Sequence, residues 1–149
     1  MKADEFDSII FDCDGVLIDV TKSYDVTINR TISYVLKEIA NITVDTPLTN
    51  EILLKFKSTG GFNDEIDITY SGILCFIAAE KLNKNPTEFI SEVLDNADDS
   101  GIVYAENFLS KINVDISDIK SRLGYPSTDK NDLIHATFDQ LFFGPELYN

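Results

Sequence analysis

Asp12-Cys13-Asp14-Gly15 sets two carboxylates two residues apart, directly after the apolar run Ser8-Ile9-Ile10-Phe11. On an extended strand, side chains at i and i+2 lie on the same side. A turn permitted by Gly15 brings Asp12 and Asp14 toward one centre at the carboxyl end of the strand, where α/β folds bind ligands. Two unit charges about 4 Å apart repel by about 4 kcal/mol at an effective dielectric near 20, and a phosphate would add to that. Mg²⁺, a hard cation that takes carboxylate, phosphate and water oxygens, relieves the conflict. In such a site Asp12 attacks phosphorus and becomes an aspartyl-phosphate. Asp14 protonates the leaving alkoxide and then activates the hydrolytic water. Backbone N–H groups of the turn cradle the phosphoryl oxygens. The plainer reading of the same residues is a turn whose Asp side chains cap backbone N–H groups, and for a bare Asp-x-Asp-Gly that reading wins.

The elements around the loop are legible from period and punctuation. Ser8 to Phe11 is short, apolar and β-branched, as expected of a strand buried on both faces. After Gly15 the pattern turns helical: Val20, Tyr24, Ile28, Ile32, Val35, Leu36 and Ile39 form one stripe, predicting a helix from about Thr21 to Ala40. Thr49 is placed to cap a second helix through Ile52, Leu53 and Phe56 that stops at Gly60-Gly61. A third starts at Asn63 or Asp64 and runs to Leu82. Asn85-Pro86-Thr87-Glu88 is a start signal, with a capping Asn and Pro at the first helical position. Glu88 to Asn96, Ile102 to Lys111, Ile116 to Leu123 and Asp129 to Phe143 complete the series. One strand and about seven helices make the fold class mainly α. A buried strand needs neighbours, and no second one is evident.

The chain has 149 residues, with 10 Phe and 6 Tyr to pack a core. A domain of that length buries about 68–70% of the surface that its unfolded chain exposes. The 26 Asp and Glu against 12 Lys and Arg exclude nucleic acid as an expected partner, because affinity for a polyphosphate comes mainly from cations. The same balance disfavours an anionic membrane surface. Cys13 and Cys75 lack metal-type spacing and are expected as free thiols in a reducing compartment. The acidic N-terminus does not resemble a signal peptide, and the run Ile73 to Ala79 is too short to span a bilayer. A cytoplasmic protein is expected.

The string Ile9-Ile10-Phe11-Asp12-Cys13-Asp14-Gly15-Val16-Leu17-Ile18-Asp19 closely resembles the first motif of the haloacid dehalogenase superfamily of phosphatases. The resemblance extends to Asp19-Val20-Thr21-Lys22-Ser23-Tyr24 and Lys57-Ser58-Thr59-Gly60-Gly61-Phe62-Asn63-Asp64, which are similar to a subgroup with a helical cap inserted after the first strand. Phe142 to Tyr148 resembles the return from cap to core. This implies an α/β, Rossmann-like parent fold, with the first strand and nucleophile loop at 1–19, the cap at 20–144 and a return segment at 145–149. It implies Asp12 as nucleophile and Asp14 as acid/base, both with Mg²⁺ as cofactor, and the phosphoryl group held at Gly15. Lys57, Gly60, Gly61, Asn63 and Asp64 become a substrate-reading lid; otherwise they are a helix C-cap followed by an N-cap. The subgroup usually has Arg where Asp25 stands here and an aromatic where Glu65 stands.

The expected substrate is a small phosphorylated metabolite, hydrolysed as a monoester; a phosphomutase using the same intermediate is an alternative. The superfamily also needs a second-strand Ser or Thr, a Lys and a later acidic pair, which belong after the cap, and none is found upstream of it. The expectation is therefore an N-terminal portion whose partner is the remaining core segment, catalytically poor or inert alone. The competing expectation is a non-catalytic helical interaction module, with homodimerisation through the unpaired strand or cap. Arg30 and Lys22 are candidates for meeting an anion, more commonly solvated or paired. His135 is expected to be structural. Asp98-Asp99-Ser100-Gly101 reads as a helix cap before Ile102 rather than a metal pair.

Overall fold

The computed structural model describes residues 8–13, 16–62, 64–125 and 131–144. Among them the protein is mainly helical, with no strand and seven α-helices: α1 (Val26–Ala40), α2 (Asn50–Ser58), α3 (Glu65–Lys81), α4 (Pro86–Leu94), α5 (Ile102–Lys111), α6 (Ser117–Leu123) and α7 (Leu133–Phe143). A π-helical turn, Thr21–Asp25, leads into α1. No helix among the described residues is long and apolar enough to cross a membrane.

The helices start where short polar side chains can accept orphan N–H groups. Thr49 accepts from Ile52 N–H at 3.3 Å, Asp64 from Ile66 N–H at 2.7 Å and Asn85 from Glu88 N–H at 3.1 Å. Asp132 accepts from both Ile134 and His135. The last helix was expected from Asp129; it begins at Leu133 behind the Asp132 cap, and residues 129–130 lie outside the described residues. Gly101 precedes α5 without a side-chain cap, so the expected cap role of Asp98 takes another form, given below.

α3 is the axis of the fold. It is apolar around its circumference, and every residue from Ile68 to Ala79 is buried, which requires neighbours on all sides. α1, α4, α5 and α7 supply them. A Cβ on Gly72 would stand 2.9 Å from Ile32 Cδ1, so this glycine lets α1 approach closely. The hydroxyls of Thr31 and Ser71 are buried without a partner among the described residues. Cys75 is buried as well, and burial pushes its thiol up to about 12; Cys13 is exposed, and both are free.

The expected strand is not formed. Ile9, Ile10 and Phe11 are 78%, 94% and 64% exposed, and no described strand lies beside them. Residues 8–11 carry the side chains expected of a buried strand, and none of the described residues buries them. The parent α/β core implied by the resemblance is not part of the described helical body.

Candidate functional site

Asp12 stands in the connection between the exposed apolar segment and the helical body. Its Oδ1 accepts from the backbone N–H of Cys13 at 2.8 Å, which fixes the carboxylate against its own turn. The Cys13 carbonyl accepts from Leu17 N–H at 2.9 Å and from Ile18 N–H at 3.0 Å, which seats residues 17 and 18 against Cys13. Asp12 Oδ2 has no partner among the described residues, and the side chain is exposed. Asp14, the expected acid/base and second metal residue, and Gly15, the expected phosphoryl contact, lie outside the described residues, as does Asn63 of the expected lid.

Lys57, at the end of α2, reaches the carboxylate of Asp25 at 2.6 Å, just before α1 begins. Only 14% of the Asp25 side chain is exposed, so this pair is better shielded than an ordinary surface ion pair. The position that departs from the resemblance thus holds a lysine the resemblance assigns to substrate. Glu65 lies close by, in the first turn of α3. Partial burial raises its carboxyl above the usual range, and Asp64 and Asp25 add to the rise; its backbone hydrogen bond and Lys57 pull it back. Sequence reading passed over Asp25 as a structural partner; its only signal was a carboxylate in the turn before a long amphipathic helix.

The Gly60-Gly61 loop is held by backbone packing. Gly60 has φ +79°, as a chain reversal after a helix requires. A Cβ on Gly61 would stand 2.5 Å from the Asp98 carbonyl oxygen, and one on Gly101 would stand 2.2 Å from the Gly61 carbonyl oxygen. Asp98 accepts from Ser100 N–H at 2.9 Å and from the Ser100 hydroxyl, closing a turn rather than capping α5. These bonds hold its carboxyl below the usual range. Asp64 serves α3 as its cap. The described bonds of Lys57, Gly61 and Asp64 therefore run to Asp25, to Thr59 and to the first turn of α3, and none of them runs to Asp12.

Two rings meet at the base of the bundle. Tyr24, in the turn before α1, stacks on Phe142, near the end of α7, with centroids 4.8 Å apart. The two ends of the helical body are thereby held side by side. His135 takes the structural place expected of it: Nδ1 lies 2.7 Å from Asp132, and its ring sits beside Tyr125. Lys22 and Arg30 are exposed.

A hard cation would suit the carboxylate oxygens of Asp12 by donor type. Among the described residues, however, no group of three His, Cys, Asp or Glu side chains is arranged to hold a metal ion. Asp12 supplies one ligand where such a cation uses several. Compared with family models, curated proteins and solved structures, the chain matches none of them.

Proposed function

We propose that this chain is the nucleophile loop and helical cap of a Mg²⁺-dependent phosphatase of the haloacid dehalogenase type, acting on a small phosphate monoester through an aspartyl-phosphate at Asp12. The observation that carries the reading is the Tyr24–Phe142 stack, because an inserted domain must leave its parent and return to it at one place. The exposed apolar side chains of Ile9, Ile10 and Phe11 add support. Each would gain roughly 1.5–3 kcal/mol on full burial, as in the middle of a parallel sheet contributed by a core segment.

In this reading Asp12 is the nucleophile. Its Oδ2 attacks phosphorus, the P–O bond to the alkoxide breaks, and the alkoxide takes a proton from Asp14. Asp14 then removes a proton from water, which attacks the phosphoryl group and releases Asp12 as carboxylate. The Cys13 N–H holds Oδ1, leaving one oxygen to react. Asp12 and Asp14 would hold the Mg²⁺, which supplies positive charge against the phosphate oxygens. The Gly60-Gly61 loop, seated on residues 98–101, belongs to the cap as a fixed rim, with Lys57 oriented by Asp25.

The test is hydrolysis of an aryl phosphate with Mg²⁺, by the chain alone and by the chain supplied with a core segment carrying the Thr strand, the Lys and the acidic pair. Little or no turnover alone, and turnover on supplementation that falls by at least about 10³ in Asp12→Asn, is the expected result. Supplementation without turnover, or activity that survives Asp12→Asn, would overturn it and leave the helical interaction module. Trapping of a second hydroxyl compound as the phosphoryl acceptor would turn the reading toward a mutase.

A further inference from the structure

Away from the Asp12 loop, α2 and α4 flank a groove of about 670 Å³. Ile52 lies at its floor, and Leu54 stands on its wall with 68% of its surface exposed. One exposed leucine is ordinary on a flat surface; in a concave site it is a ready apolar contact. Four carboxylates, Glu51, Glu88, Glu92 and Asp95, line the same groove.

The groove's own cation is already engaged. Lys55 Nζ donates to the Ser91 carbonyl at 3.0 Å, to Ser91 Oγ at 2.7 Å and to Asp95 Oδ1 at 2.5 Å, which uses all three of its hydrogens. Glu92 pairs with Lys84 at 2.9 Å. Glu51 and Glu88 have no ion-pair partner among the described residues. An incoming cation therefore meets two carboxylates, each in the first turn of its helix and without an ion-pair partner among the described residues, beside an apolar wall, and an acidic segment meets charge of its own sign.

We propose that the α2–α4 groove binds a basic amphipathic peptide segment of another protein, with a large apolar side chain on Leu54 and Lys or Arg against Glu51 and Glu88. Apolar burial supplies the contact, and opposite charge sets the register and speeds the encounter. The groove shares no residue with the Asp12 loop and only Ser58 with the stretch from Lys57 to Asp64, and neither Leu54, Glu51 nor Glu88 has a role in the phosphatase reading.

A fluorescently labelled Lys/Leu peptide with Leu at helical i, i+3, i+4 and i+7 spacing tests it by anisotropy at near-physiological salt. A peptide of the same composition, scrambled to remove the apolar face, controls for attraction to an acidic surface. The amphipathic peptide should bind about tenfold or more tightly than the scramble. Leu54→Ser, and separately Glu51→Lys with Glu88→Lys, should each weaken it about tenfold, while Asp99→Lys with Asp118→Lys should not. The substituted side chains are all exposed, and the thermal midpoint of each variant confirms its fold. Equal binding of the scramble, unchanged binding by the groove variants, or no binding would each overturn the proposal; the first two would assign the attraction to the net charge of −14.

Discussion

Residues 9–11 and residues 73–77 are both short apolar runs, and the protein treats them oppositely. Ile73, Leu74, Cys75, Phe76 and Ile77 are buried within α3, while Ile9, Ile10 and Phe11 stand in solvent. Composition does not separate the two runs. Neighbours do: α3 is long enough to satisfy its own backbone and finds four helices to cover it, whereas a strand of four residues depends on another strand for its hydrogen bonds. An apolar run is a demand for partners, and only the rest of the fold can meet it.

The largest expected effect sharpens that contrast. Leu74→Ala removes a fully buried side chain and should cost about 2–5 kcal/mol in urea unfolding. Ile10→Ala should cost about 0.5 kcal/mol or less in the same chain. A loss at Ile10 comparable to that at Leu74 would mean that the segment is docked in solution and would break the comparison.

A smaller effect separates the two sides of the contact between the Gly60-Gly61 loop and residues 98–101. Gly101→Ala puts a Cβ against the Gly61 carbonyl at a backbone φ of +58°, and should cost about 1–3 kcal/mol. Gly60→Ala also has positive φ, but its Cβ would meet nothing within 4 Å, and about 1 kcal/mol is expected. Equal losses, measured by denaturant midpoint, would argue against the tight seating of the loop on residues 98–101.

The smallest effect concerns pH. Burial raises the Glu65 carboxyl in the folded state above its ordinary value of 4.5. The stability it contributes is full below pH 4.5 and is lost as pH rises through the folded value, because folding then holds a carboxylate in a poorly solvated place. Glu65→Gln should therefore be more stable than the natural chain near pH 7, with the difference closing below pH 4.5. A difference that persists unchanged into acid would assign the effect to something other than titration.

Much of the helical body was legible. Asn85 with Pro86, Thr49, and the stretch from Ile102 to Lys111 behave as their residue types dictate, because caps and periodicity act within a few residues. The start of the last helix moved from Asp129 to Leu133 because Asp132 caps it and also holds His135. Around the candidate site less was legible. Lys57 is tied to Asp25, 32 residues away in sequence, and no local pattern encodes that meeting. The contact of Gly61 with Gly101 is likewise a meeting of two loops, each of which alone reads only as a turn.

By itself the sequence determined where most of the helices begin and end, through caps such as Thr49 and Asn85 and the apolar stripe of α1. Those properties follow from side-chain chemistry over one or two turns of chain. Tertiary structure decided which residues share a place. It stacked Tyr24 on Phe142, so that the two ends of the helical body lie side by side, and it engaged Lys57 and Lys55 with internal carboxylates. It also left the Ile9–Phe11 segment uncovered, because packing is a property of partners brought together across the chain.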